Sequence, residues 1–215
     1  MRLSKSAVLL SAVLLFGSMS AFAGIIGNGP PNQSGGSDLN SYLEGDNFTT
    51  GGDAFVNQVQ FWAYQSAPSD YAGSVDWAFY SDASGAPGSV LLSGNAAAIG
   101  TPTGNSAFGL GEYSYIFDVN TPLAANTMYW LVLHNGPSNV DPSVLGSSFY
   151  WAWAAGTGNS QNLDLYNQGG GWNSNEAELA FQVSTSPVPE PASMTLIGGG
   201  LLAGWFKRRK LMGKN

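Results

Sequence analysis

Polar and apolar positions alternate along most of the chain from Phe48 onward. Val56, Gln58, Gln60, Trp62 and Tyr64 interleave with Phe55, Asn57, Val59, Phe61 and Ala63. Val75, Trp77 and Phe79 share one face of the next such segment, with Asp76, Ala78 and Tyr80 opposite. Tyr113, Tyr115, Phe117 and Val119 form the cleanest period-2 face. Thr127 to His134 follows, and then Phe149, Trp151 and Trp153, Leu163 with Leu165, and Leu179 with Phe181 and Val183. Alternation of this kind is the mark of a half-buried strand. Gly-, Asn-, Pro- and Ser-rich turns separate the runs, at Asp82–Gly88, at Asn120-Thr121-Pro122 and at Ala125-Asn126. No helical period stands out between Gly24 and Ser186. The pattern predicts an all-β fold, a two-sheet antiparallel β-sandwich of jelly-roll type over residues 48–186. Residues 24–47 are rich in Gly, Asn, Ser and Pro and are expected to be a flexible leader or first loop.

Charge sharpens the picture. Of 14 acidic residues, all except Glu190 lie between Gly24 and Ser186, and that stretch holds no Lys or Arg. Its field repels phosphate backbones, so no nucleic-acid partner is expected. There is no cysteine, hence no disulfide framework, and stability must come from the core. About 163 residues suffice for that, since domains of this size bury close to 70% of their unfolded surface.

The two ends read as addresses. Residues 1–23 form a signal peptide: Arg2 and Lys5 lead, an apolar run follows, and Ala21-Phe22-Ala23 offers signal peptidase its small residues. At the other end, Val188-Pro189-Glu190-Pro191 precedes an uncharged span at 192–206 and a basic tail at 207–215 that opens with Lys207-Arg208-Arg209-Lys210. As a helix the span is about 22 Å long, short of a hydrocarbon core of roughly 30 Å. It predicts a short C-terminal transmembrane helix, with the basic cluster acting as a cytoplasmic stop-transfer signal. The chain would touch the membrane only through this tail.

The order of motif, span and basic tail over residues 187–215 resembles the PEP-CTERM sorting signal of diderm bacteria. The resemblance implies recognition by exosortase, a membrane-embedded cysteine transpeptidase-like enzyme, and removal of the tail. It implies a protein exported to the cell envelope or the extracellular, exopolysaccharide-rich matrix of a biofilm. The run Phe79-Tyr80-Ser81-Asp82 through Gly85-Ala86-Pro87-Gly88, with Leu123 to Leu131, also resembles the choice-of-anchor surface β-sandwich domains. That family carries no established catalytic residues.

Candidate chemistry is sparse. Triad catalysis needs a base beside a nucleophile, and His134, just before Asn135-Gly136-Pro137, is the one histidine. No carboxylate pair is singled out by spacing, so no catalytic residue is expected. The alternative is a secreted carbohydrate-active enzyme working through paired carboxylates. Asp46 and Asp53 are the candidate ligands for a structural Ca²⁺, against the plainer reading of a solvated acidic surface. Aromatic rings can stack on sugars, which makes Trp151, Trp153, Tyr166 and Trp172 the candidate glycan-binding residues for a neutral polysaccharide. Alternating aromatics equally well build a sandwich core. The expected function is a non-enzymatic structural or adhesive surface protein, with a passive envelope spacer as a further alternative.

Overall fold

The structure is a computed structural model that describes residues 24–52, 54–138, 148–155, 163–166, 171–174 and 177–187, with the backbone alone at Ala54, Leu163–Tyr166 and Pro187. Within these residues the chain forms β1 (Gly24–Ile26), β2 (Pro31–Asp38), β3 (Tyr42–Thr49), β4 (Ala54–Gln65), β5 (Val75–Asp82), β6 (Pro87–Ala96) and β7 (Ile99–Ala107). It continues through β8 (Leu110–Leu123), β9 (Met128–Asn135), β10 (Phe149–Ala154), β11 (Leu163–Tyr166), β12 (Trp172–Ser174) and β13 (Phe181–Pro187). One 3-10 turn, Pro68–Asp70, lies between β4 and β5.

Two antiparallel sheets result. In the seven-stranded sheet β4 runs through the middle, with β8 on one edge and β7 beyond it. The other edge of β4 is shared. β13 pairs along residues 54–61 and β10 along 63–65, and β1 and β2 extend them outward. The six-stranded sheet has the order β12-β11-β3-β9-β5-β6. Four antiparallel pairs nest along the chain: β1 with β13, β3 with β9, β4 with β8, and β5 with β6. They alternate between the two sheets, which is the jelly-roll arrangement. The expected sandwich is present, and its topology is the expected one.

The core forms where the period-2 faces meet. Val59, Phe61, Phe117, Phe181 and Val183 of one sheet close on Phe48, Phe79, Leu131 and Leu133 of the other, all buried. Phe48 and Phe181 cross the gap edge to face at 6.1 Å. Each such ring contributes about 1.5–3 kcal/mol by leaving water, and edge-to-face geometry adds to it.

Two expectations need correction. Residues 24–47 are not a flexible leader: they form β1, β2 and most of β3, so the described residues are part of the sheets from Gly24 onward. Alternation is hidden there because backbone pairing, not apolar side chains, holds the strands. At Gly35 an added Cβ would run into the Trp153 ring, so the strand needs a residue with no side chain at that point. Gly35→Ala is expected to cost about 1–3 kcal/mol by overpacking, seen as a lowered urea midpoint at unchanged slope. Asn120-Thr121-Pro122 is not a turn either; β8 continues to Leu123, with Thr121 opposite Val56 and Pro122 opposite Phe55. Pairing of β7 with β8 starts at Ile116 and runs away from Pro122. That edge of residues 117–123 is therefore open, and a missing N–H breaks no ladder there. The turn at Asp82–Gly88 is real but tighter, spanning 83–86 and closed by Ala83 N–H donating to Ala86 O at 2.8 Å.

Candidate functional site

The outward face of the six-stranded sheet carries a cleft of about 320 Å³. Strand register builds it. Across β5, β9 and β3 one row is Tyr80, Trp130, Asn47 and the next is Ala78, Val132, Gly45. Asp76 stands opposite His134 in the row after those. Leu43, Asp76, Ala78, Tyr80, Val90 and Val132 line the cleft, together with Ser93 on β6. The floor is therefore apolar and the rim polar, the usual composition of a small-ligand site.

Trp172 on β12 forms part of this face. Its ring meets Tyr80 edge to face at 6.0 Å and 86°. A Cβ at Gly45 would be in ordinary contact with the Trp172 ring at 3.6 Å and would press on the Val132 side chain at 3.1 Å, so the Trp172 ring, Gly45 and Val132 are neighbours on this face. Trp172 stays partly exposed. Asp76 supplies the polar end. Its two oxygens accept from Asn95 Nδ2 at 2.7 Å and Ser138 N–H at 2.8 Å, so the carboxylate is held in one orientation.

His134 and Asn47 belong to the same sheet face and are fully or almost fully buried. His134 Nδ1 lies 3.1 Å from Gly136 O. A carbonyl can only accept, so Nδ1 carries the proton. Neither Nε2 nor Asn47 Oδ1 has a hydrogen-bond partner among the described residues. Trp130 is fully buried here too, donating from Nε1 to Asp82 Oδ1 at 3.0 Å.

The residues singled out in the sequence are placed differently from one another. Trp151 is 0% exposed. Its indole N–H donates to Ala180 O at 2.9 Å, and its ring packs against Phe61 and Phe181. A ring so enclosed cannot stack on a sugar, so Trp151 belongs to the core. Trp153 is half-buried beside Gly35 and donates to Ser37 Oγ at 3.1 Å. Strand alternation does put these two rings on one face, as expected, but that face is the inner one. Tyr166 lies on β11 opposite Tyr42, with only its backbone described. Trp172 is thus the partly exposed ring that the structure joins to a cleft. Tyr80, its partner, stands in the alternation opposite Val75, Trp77 and Phe79 and in the Phe79-Tyr80-Ser81-Asp82 run, neither of which marks it as a ligand-binding ring.

Asp46 points the other way, into the sandwich, on the same strand face as Glu44 and Phe48. Asp46 Oδ2 accepts from Leu179 N–H at 2.6 Å and from Asn28 Nδ2 at 2.8 Å, and Oδ1 accepts from Asn47 N–H at 2.7 Å. Its carboxylate ties β3 to the residues leading into β2 and β13. Burial pushes the carboxyl well above the usual carboxylate range, and the neighbouring Glu178 adds to the rise against the hydrogen bonds that lower it. Among the described residues no three His, Asp or Glu side chains are gathered to hold a metal. Asp53 lies outside the described residues, as do the signal-peptide segment 1–23 and residues 188–215 with the sorting motif, span and basic tail.

The described residues thus define an all-β, two-sheet sandwich with a cleft on its outer sheet face. Residues 187–210 match the family model for the PEP-CTERM protein-sorting motif. No curated protein matches the chain. The chain is therefore an exosortase-sorted extracellular protein, exported to the cell envelope or surface of a Gram-negative bacterium.

Proposed function

We propose that the exported domain is a non-catalytic structural and adhesive component of the exopolysaccharide matrix, and that it holds neutral glycan in the cleft beside Tyr80 and Trp172. The observation that carries this reading is the partly exposed Trp172 ring set against Tyr80 at a cleft with an apolar floor. Sugars offer apolar C–H faces to such rings and hydroxyls to groups like Asp76 and Ser93 at the rim. A domain with no Lys or Arg between Gly24 and Ser186 favours uncharged polymers over acidic ones. Asp76 is the one carboxylate lining the cleft among the described residues, and both its oxygens are already engaged. That arrangement supports positioning a ligand more than two-carboxylate hydrolysis, which needs a second acid across the bond.

The test is tryptophan fluorescence of the exported chain titrated with a neutral glucan and, separately, with the producing strain's own exopolysaccharide. A saturable shift is expected, weakened about tenfold in Trp172→Ala, the equivalent of about 1.4 kcal/mol for loss of a tryptophan that anchors the ligand. Circular dichroism of the variant should match the parent. A flat titration with both polymers would sink the glycan reading and leave the passive spacer in its place.

A further inference from the structure

Six large apolar side chains are exposed among the described residues, and four of them, Val90, Leu91, Leu92 and Ile99, fall on β6 and β7. Each of these strands is an edge strand, β6 in the six-stranded sheet and β7 in the seven-stranded one. Only Ala97 and Ala98 join them, so both edges lie on one side of the sandwich. The two edge strands themselves are uncharged: residues 83–111 contain no Asp, Glu, Lys or Arg, and the acids beside them are Asp76, which accepts from Asn95, Asp82, opposite Pro87, and the buried Glu112, which accepts from Thr103 and Asn105.

We propose that the β6 edge is an interaction surface whose partner is the β6 edge of a second copy of this chain. An edge strand presents a row of unpaired backbone N–H and C=O groups, and another strand satisfies them. Charge selects which strand. Two copies of a domain rich in acids and devoid of bases repel wherever acids face acids, and residues 83–111 are where they meet without that cost. A basic partner would be drawn to the acidic faces instead. An edge meeting itself gives a closed two-fold contact, joining two six-stranded sheets into one.

β6 suits this better than β7. β7 carries Pro102 in mid-strand and a break in register between Pro102 and Ser106, around Gly104 at φ 88°. Both features blunt an edge. On β6 the proline is the first residue, Pro87. Its pairing with β5 is unbroken over Leu92–Ala96; the register shifts lie beyond that stretch, one at Leu91, where Phe79 faces Leu92 and Tyr80 faces Val90, and a second between Val90 and Pro87, which faces Asp82. The regular stretch supplies the backbone row. Leu91, 51% exposed, supplies apolar contact beside it.

The absence of any cysteine makes the test direct, because a single introduced thiol can bridge only to its own copy. Leu91→Cys and Leu92→Cys in the full exported chain, oxidised mildly, should run as covalent dimers on a non-reducing gel. Ile25→Cys, more exposed than either leucine but on β1, an edge strand of the other sheet, should remain monomeric. Light scattering of the unmodified exported chain should give a dimer that Leu91→Glu weakens at least tenfold and Ile25→Glu does not. Equal crosslinking at Ile25, or a monomer at every concentration in light scattering, overturns the proposal. Glycan binding in the cleft does not enter either readout, since Leu91 does not line it.

Discussion

Trp151→Ala is expected to cost about 3–5 kcal/mol, the range for truncating a buried aromatic. The ring is 0% exposed and packs edge to face on Phe61 at 6.2 Å and Phe181 at 6.0 Å. Truncation leaves a cavity at the point where β10 and β13 share the edge of β4, and it removes one of the two hydrogen bonds that the Ala180 carbonyl accepts, leaving the one from Trp62 N–H at 3.2 Å. Stability of an ordinary domain is about 5–15 kcal/mol, so the variant loses a large part of it. Urea unfolding followed by far-ultraviolet circular dichroism is the check. Trp172→Ala, at a partly exposed ring, should stay within about 1 kcal/mol in the same experiment. A small loss at Trp151 would mean that the ring lies at the surface after all, and the Trp151–Trp153 sugar platform would return.

The second large effect is an acid-shifted stability optimum, and two aspartates of opposite sign produce it. Asp46 has its folded-state pKa raised, by burial and then by Glu178. Its favourable contribution is complete below the unfolded value of about 3.9. It is lost as pH rises through the higher folded value, because the buried carboxyl must then ionise. Asp70 is the reverse case. Burial alone would raise it, but Oδ2 accepts from Ser66 Oγ at 2.6 Å, Ala67 N–H at 2.9 Å and Ser66 N–H at 2.8 Å, and together these hold its pKa below the ordinary value. Its contribution is present above about pH 4 and disappears as pH falls through the lowered value. Repulsion among the domain's acids weakens in the same downward direction and reinforces Asp46. Melting temperature should therefore climb from pH 7.5 towards roughly pH 4–5 and drop below it. Asp70→Asn should flatten the acid limb, and Asp46→Asn the neutral one. A profile that falls steadily from pH 7.5 downward would refute the assignment of Asp46.

How much of this was visible along the chain depends on what held each element. β4, β5, β8, β9, β10 and β13 announce themselves because apolar side chains alternate wherever a strand lines the core. β1, β2 and β7 do not. Their residues, such as Gln33-Ser34-Gly35-Gly36 and Thr101 to Ser106, bury little apolar surface and are held by backbone pairing with strands that do. A period-2 reading is blind to that kind of strand. The same limit explains the tryptophans. Spacing put Trp151 and Trp153 on one face, but which face looks inward depends on the sheet that packs against it.

The sequence alone determined the all-β class and the address, and its alternation pointed to a two-sheet sandwich, because these rest on local pattern and on a contiguous sorting motif at 187–210, whereas the nesting of the strand pairs was decided by the tertiary structure. Tertiary structure decided the cleft. Tyr80, Val132, Gly45 and Trp172 come from four strands, β5, β9, β3 and β12, and only cross-strand register brings them together. It also decided that Asp46 looks inward while Asp76 looks out, although both sit on alternating strands of one sheet. Alternation says that two sets of residues part to opposite faces; only the packing of the second sheet says which set leaves the water.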